Sequence, residues 1–361
     1  MPGRPDHFDP CWVLHVDLDE FIAAVEVLRH PELAGRPVVV GGRGDPTERG
    51  VVATASYAAR EFGLRSGMPL RTAARRCPDA VFLPVDKDAY DEASAQVMTV
   101  LRSFNVPVQV LGWDEAFLAV RTRDPVRCAE QVRAAVLAVT GLHCSVGVGD
   151  NKLQAKTATG FGKPRGVFTI SGQTWSEHMG ERPTDALWGI GRRTAARLAE
   201  LGLHTVAELA AADARLLAER LGPTMGPWYR RLARGVDSSP VDPTPYVARG
   251  HGREVTFRRD EADWDRVAAT VRGLAAGVAA DLAAERRPAV RVGLKLRYVP
   301  FETRSRSRAL PAATADAGAI ADAAVTLLAG LDHTRAVRLV GVRAEMAPPG
   351  DVGPAGAEPG R

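Results

Sequence analysis

The chain reads as an α+β multidomain protein, and three observations predict it. Apolar strand-like runs alternate with helical periodicity over residues 11–148. An Ala/Leu/Arg-rich helical stretch follows at 176–235. After a proline-rich break, residues 249–346 run strand, helix, strand, strand, helix, strand. A length of 361 residues also exceeds one ordinary domain.

Taken in order, Cys11 to Val16 is an apolar run of the buried-strand type that leads into a helical pattern near residues 20–30. Arg36-Pro-Val-Val-Val-Gly41 predicts a second buried strand, and Val51 to Ser56 a short apolar run. From Val106 a strand, a turn and Ala116 to Val120 resemble a hairpin with Asp114 and Glu115 at its bend. Pro125 opens a helix, since its fixed φ suits a first turn, with Val126, Ala129, Val132, Val136 and Val139 on one face. Cys144 to Val148 is a further strand, and together these suggest a sheet with helices on one side. Gly189-Ile190-Gly191 and Gly202 punctuate the helical stretch, and Val236 to Pro245 reads as a linker. The last domain is expected as strands at 252–258, 289–299, 302–309 and 335–345 with helices at 263–285 and 316–330, the ferredoxin-like order. The Pro- and Gly-rich segment 347–361 is expected to be a disordered tail.

Apolar residues make up 45% and charged residues 25%, a globular balance. The opening Met1 to Pro10 lacks an apolar segment of signal-peptide length, and no run approaches the roughly 18 to 20 apolar residues of a membrane span. Cys11, Cys77, Cys128 and Cys144 are widely spaced and form no CxxC, which argues against zinc and disulfide frameworks. A reducing cytoplasm fits best. Charge is uneven: residues 1–245 hold 29 basic and 29 acidic residues, whereas 246–347 hold 17 basic and 12 acidic. The positive excess belongs to the last domain and predicts a polyanion partner there.

Two acidic segments carry the strongest chemical signal. Val16-Asp17-Leu18-Asp19-Glu20-Phe21 and Gly112-Trp113-Asp114-Glu115-Ala116-Phe117 each set carboxylates at or near the end of a predicted strand. Carboxylates gathered there repel unless a cation joins them, and Mg²⁺ takes one or two carboxylates plus substrate phosphates. Solvated strand-end acids are the alternative. Tyr57 and Arg60, three residues apart, share a face if a helix starts there and would suit phosphate oxygens; a surface pair is the alternative. Lys163 before Pro164 is held in an extended turn that could aim its ammonium at a phosphate, or simply at solvent. The Gly189-Ile190-Gly191 hairpin, followed by Arg192 and Arg193, reads as a helix-hairpin-helix that grips a DNA backbone without reading sequence. Arg291, Lys295 and Arg297, and then Arg304, Arg306 and Arg308, recur at even spacing, which predicts a shared basic face on two neighbouring strands.

With these residues assembled, the chain resembles the Y-family translesion DNA polymerases, most closely the DNA polymerase IV (DinB-type) branch. The resemblance covers about residues 11–346 and rests on ordered motifs: HVDLDEF, ATASYAAREFGLRSGMP, DEAFL, VGVGDNKLQAKTA, GKPRGV, LWGIG, GREVTF and RLVGVR. It implies a right hand with a ferredoxin-like palm (1–20 and 87–175), small fingers (21–86), a helix-hairpin-helix thumb (176–235), a linker (236–248) and a little finger domain (249–346). It implies templated nucleotidyl transfer from a dNTP to a primer 3′-OH on primer–template DNA, by a monomer, with two Mg²⁺ ions for which Mn²⁺ can substitute. Carried over by motif, Asp17, Asp114, Glu115 and the Leu18 carbonyl would hold the metals, with Asp19 dropping out. Phe21, Ile22, Thr54, Tyr57, Arg60 and Lys163 would bind the nucleotide. No stretch is left for a proofreading exonuclease, so low fidelity is implied.

The departures are specific. An aromatic residue that blocks a ribose 2′-OH usually follows the first-motif Phe; here it is Ile22, which predicts weaker ribonucleotide exclusion. Glu20 stands where a small or neutral residue is usual, and Gly112-Trp113 where Ser and a small apolar residue are. The terminal segment 347–361 holds no Gln, Leu or Phe, so the sliding-clamp peptide of many relatives is not evident. Two other readings compete: a DNA-binding accessory protein with a degraded palm, and a nucleotide cyclase with a palm-like two-metal sheet.

Overall fold

The computed structural model describes residues 9–349 and divides into two compact units, 9–46 with 50–245 and 47–49 with 246–349. The boundary falls inside the proline-rich stretch read as a linker. The first unit opens with β1 (Cys11–Leu18), α1 (Phe21–Arg29), β2 (Val38–Val40), β3 (Thr54–Ala55), α2 (Tyr57–Glu61), α3 (Leu70–Arg76) and β4 (Val81–Leu83). It continues with α4 (Lys87–Arg102), β5 (Val108–Val110), β6 (Glu115–Arg121), α5 (Pro125–Thr140), β7 (Cys144–Gly149), α6 (Lys152–Gly162) and β8 (Val167–Ile170). Five short helices complete it: α7 (Trp175–Met179), α8 (Arg192–Ala199), α9 (Val206–Ala211), α10 (Ala214–Leu221) and α11 (Met225–Ala233).

β1 is the middle strand of a five-stranded sheet ordered β5-β6-β1-β7-β8. Period-two alternation splits its residues between two faces. Leu14, Val16 and Leu18 join Leu118 and Val120 of β6 and Val146 and Val148 of β7 in a core closed by α4 and α5 through Val97, Leu101, Val132 and Val136. His15 and Asp17 point to the other face, across from Phe117 and Glu115 of β6 and Gly147 and Ser145 of β7. That face is covered by α6. Gly147 makes the close packing possible, because a Cβ there would lie 1.9 Å from the Ala155 carbonyl oxygen. The sheet therefore carries helices on both faces, not on one as the alternation of elements suggested. The run of small residues along α6 is what hid its role as a covering layer.

A second sheet, β3-β2-β4, is three strands wide and very short. Its Val39 packs with Val52, Ala55, Ala59, Leu64, Leu70, Ala73 and Cys77 in a small separate core. The helical stretch has its own core of Trp175, Met179, Leu187, Ile190, Leu198, Leu209, Leu217 and Leu232, joined to Leu153 and Ala158 of α6. Asn151 fastens the two together: its Oδ1 caps α6 at Gln154 N, and its Nδ2 donates to the Gly235 carbonyl at 2.9 Å.

The second unit runs β9 (Gly250–Glu261), α12 (Trp264–Glu285), β10 (Ala289–Tyr298), β11 (Thr303–Thr314), α13 (Ala317–Ala329) and β12 (Val337–Met346). The predicted chain order holds, but the spatial order β11-β10-β12-β9 puts the second and fourth strands in the centre. A ferredoxin-like sheet centres the first and third, so that comparison is corrected for this unit. α12 is long and apolar enough by composition to cross a membrane, which corrects the expectation that no run approaches such a span. Its Val267, Val271, Ala275, Val278 and Leu282 instead pack on the sheet. Ala347, placed in the expected tail, is buried and bonded, its N–H to the Pro288 carbonyl at 2.9 Å. Residues 350–361 and 1–8, the latter read as lacking a signal-type segment, lie outside the described residues.

Candidate active site

The two acidic segments meet. The antiparallel register sets Asp17 directly opposite Glu115, so both carboxylates stand on the face covered by α6. Asp114 lies on the bend just before β6, and its carbonyl accepts the Leu18 N–H at 2.8 Å, which fastens the end of β1 to that bend. Opposite them, Lys152, Lys156, Thr159 and Lys163 follow one another at helical spacing along one side of α6 and its C-cap. Lys163 pairs with Asp17 and Lys156 with Glu115.

His15 is 1% exposed and lies beneath this pair. Its Nδ1 is 2.8 Å from the Thr159 hydroxyl, which itself reaches the carbonyls of His15 and Ala155. The hydroxyl gives its one proton to Nδ1, which leaves the Nε2–H of neutral His15 to donate to Glu115 Oε2 at 3.1 Å, with the Lys156 ammonium 3.3 Å from the same nitrogen. Burial pushes the His15 pKa down, which favours that neutral form. His15, Asp17 and Glu115 place ligand-type atoms within 4.8 Å of one another. With both its nitrogens engaged, His15 supports Glu115 and leaves the cation-facing positions to carboxylates.

The carboxyls are driven apart in acidity. The His15 hydrogen bond, followed by Lys156, holds Glu115 down at about 2. Burial pushes Asp114 up, and the charges of Asp17 and Glu115 push it further. A raised carboxylic pKa means the ionised group costs stability in the folded state above the ordinary carboxylate range. Asp114→Asn should therefore raise the Tm by about 2 °C in EDTA at pH 7. The gain should shrink as pH falls and Asp114 takes up its proton. Calorimetry of both proteins at pH 7 and pH 4.5 checks this, and an equal or lower Tm at pH 7 overturns it.

A second polar cluster flanks the first. Asp19 is 2% exposed and accepts from Tyr57 Oη at 2.7 Å, Ser145 Oγ at 3.0 Å and Arg165 N at 2.9 Å. Burial and the Asp19 bond push the Tyr57 hydroxyl far above its ordinary range, so it stays a donor. Arg60 stacks its guanidinium 4.8 Å from the Tyr57 ring centroid and donates Nε to the Ala55 carbonyl. Glu20 begins α1 in the left-handed region at φ 46° and accepts the Tyr57 N–H, bridging the loop after β1 to α2. Thr54 and Ile22 are half-buried near these groups in sequence. Phe21 is 3% exposed and packs its ring in the main core, which leaves its backbone for a nucleotide contact. An amphipathic first turn sends the Phe21 side chain inward.

The Gly189-Ile190-Gly191 turn is preceded by a single 3₁₀ turn, Thr184–Ala186, and followed by α8, so only one full helix flanks it closely. Gly189 has φ +99° and would clash with Trp228 if it carried a Cβ. Arg192 and Arg193 are exposed at the start of α8. In the second unit the predicted shared basic face does not form. Arg291, Lys295 and Arg297 stand opposite Ala309, Ser305 and Thr303, whereas Arg304, Arg306 and Arg308 stand opposite the core residues Leu296, Leu294 and Val292. A one-residue offset in pairing sends the two sets to opposite faces. The open face adds Arg343, which pairs with Gly293 and Gly252 and borders a trough of ≈ 580 Å³. Sequence reading missed Arg343, His15 and Lys156. Of these only Lys156 left a local signal, its i+4 spacing from Lys152.

The comparisons agree on one relationship. The profile of the impB/mucB/samB family matches residues 16–160, and that of the impB/mucB/samB family C-terminal domain matches 248–352. A Mycobacterium tuberculosis protein named DNA polymerase IV 2 is 47% identical over 342 residues, covering 94% of this chain and 99% of the relative. A Methanoculleus marisnigri DNA polymerase IV is 40% identical over 341 residues, covering 92% and 94%. Among solved structures, a Y-family DNA polymerase chimera, Dbh-Dpo4(243-245)-Dbh, superposes with a TM-score of 0.82 at 26% identity over 92% of this chain and 98% of that one. DinB from Sulfolobus solfataricus gives 0.61 at 25% identity over 93% and 98%.

Proposed function

The chain belongs to the impB/mucB/samB family of Y-family DNA polymerases, and from that membership we infer a translesion DNA polymerase of the DinB type that extends a primer on damaged template with low fidelity. The observation that carries the assignment of its centre is the register that sets Asp17 against Glu115 with Asp114 on the adjoining bend. The donor set consists of hard carboxylate oxygens, and burial together with repulsion from Asp17 and Glu115 raises Asp114, a cost that a divalent cation relieves, so the residues fit Mg²⁺. Asp17, Asp114, Glu115 and the Leu18 carbonyl would hold two such ions, with Mn²⁺ able to substitute. When bound they would supply charge neutralisation for an in-line phosphoryl transfer.

The protein's own groups do the positioning. Lys163 and Arg60 are the cations that would meet the triphosphate, and Tyr57 adds a hydroxyl donor whose proton is kept by its environment. Two of these have a present partner to exchange: Lys163 leaves Asp17 and the Tyr57 hydroxyl leaves Asp19. The main sheet with α4 to α6 serves as the palm, the small sheet with α2 and α3 as fingers, α7 to α11 as the thumb and the second unit as the little finger. Gly189 and Gly191 would present backbone N–H groups, with Arg192 and Arg193, to a phosphate. The enzyme would act as a monomer in the bacterial cytoplasm, on dNTPs and, through Ile22, on ribonucleotides. The segment 347–361, in which a clamp-type peptide is not evident, lies almost wholly outside the described residues.

A primer-extension assay with Mg²⁺ or Mn²⁺ tests the reading. Templated extension supports it; DNA binding alone points to an accessory protein, and a cyclic product without template to a cyclase. The open face of the second unit makes a separate prediction. Ala at Arg291, Lys295 or Arg297 should weaken DNA binding alike on all sequences and reduce the slope of log affinity against log salt by about 0.9 per residue. Anisotropy titrations across about 50 to 200 mM salt measure it. Unchanged slopes would place the DNA on another face.

A further inference from the structure

We propose that Trp188 is a positioning residue which couples DNA on the Gly189-Ile190-Gly191 turn to metal binding at Glu115, with Lys156 as the moving part. The inference rests on the reading above, in which Glu115 holds metal and the turn meets DNA.

Lys156 stands between two partners. Its ammonium pairs with Glu115, and it also lies 5.5 Å from the centroid of the Trp188 ring. Trp188 is 44% exposed, a large apolar surface placed immediately before the turn. Behind it lies Phe117 at 6.2 Å, and behind Phe117 lies His15 at 4.8 Å, so the indole is backed by the strand that carries Glu115. Lys156 and Trp188 also line a cleft of ≈ 390 Å³ with Phe161 and Arg182, which leaves the ammonium room to shift.

An ammonium over an exposed indole is attracted weakly, because water competes; covering the ring strengthens the attraction. DNA lying on the turn would cover Trp188 and draw Lys156 toward it. Glu115 would lose its lysine partner and become free for a cation. The same exchange works in reverse, because a metal ion at Glu115 repels the ammonium toward the indole. Each ligand therefore favours the same Lys156 position, and each must tighten the other by the same factor.

Mn²⁺ binding to the full-length chain, followed by electron paramagnetic resonance without nucleotide, tests this. Saturating primer–template DNA with a dideoxy-terminated primer is used so that no 3′-OH can ligate the ion. Wild type should bind Mn²⁺ about fivefold or more tightly with DNA than without. Trp188→Ala should lose that enhancement, and Trp188→Phe should retain part of it. Lys156→Gln should bind Mn²⁺ tightly with or without DNA, so the proposal stays testable if the tryptophan variant folds poorly. Coupling that persists in Trp188→Ala, or is missing from wild type, overturns the proposal while Glu115→Gln still weakens Mn²⁺ binding. If Glu115→Gln leaves Mn²⁺ binding unchanged, the metal assignment itself fails and the relay with it.

Discussion

Asp17→Asn and Asp114→Asn should each leave primer–template affinity within about twofold of wild type, because that affinity comes from Lys and Arg contacts to phosphate. Templated extension should fall by about 10³-fold or more. The two variants fail for different local reasons. At Asp17 the change removes the carboxylate that faces Glu115 across the strand pair, and Lys163 loses its partner. At Asp114 it removes the group whose acidity burial, and then the other two carboxylates, already suppress. A stabilised but inactive Asp114→Asn protein would be the mark of a site that holds like charges together for chemistry at the expense of the fold. Single-turnover extension with anisotropy on the same preparations decides it. Extension above a tenth of wild type in either variant would remove that residue from the catalytic centre.

The sequence made some features legible and hid others for physical reasons. Strands such as β10, with Val292, Leu294 and Leu296 alternating with charged residues, announce themselves locally; β10 and both helices of the second unit fall within a residue of expectation, whereas β9 and β11 run several residues longer. The acidic segments were legible too, because a strand end followed by carboxylates is a local pattern. Pairing is not local. Nothing near Arg304, Arg306 or Arg308 says which side of the sheet they face; the register against β10 decides that. His15 read as one more strand residue, since its partners Glu115, Lys156 and Thr159 lie 100 to 144 positions away. Glu20 looked like an added charge beside Asp17, yet it accepts the Tyr57 N–H and ties α1 to α2. Phe21 carries its family role by motif alone, and the structure adds only that its ring packs on the apolar face of α1.

Ile22→Phe should sharpen sugar discrimination by at least about tenfold, the second large effect expected of this chain. Ile22 is the second residue of α1, half-buried against the core that holds Phe21 and Val25. A β-branched aliphatic side chain is stiff at χ1 and short, so it cannot swing outward to meet a 2′-OH as a ring would. An apolar wall that merely touches a substrate rejects one that adds a hydroxyl by no more than about 10²-fold. Wild type should therefore insert ribonucleotides at that modest disadvantage. Phe at the same position adds a rigid ring where the extra hydroxyl would sit, which converts tolerance into a clash. The neighbouring Glu20 bridge to α2 keeps the backbone of this turn in place, so the effect belongs to the side chain. Comparing kcat/KM for single ribonucleotide and deoxynucleotide insertion in both proteins gives the answer. Equal and strong discrimination in wild type and variant would show that Ile22 already seals the sugar pocket, with the gate built from some other residue.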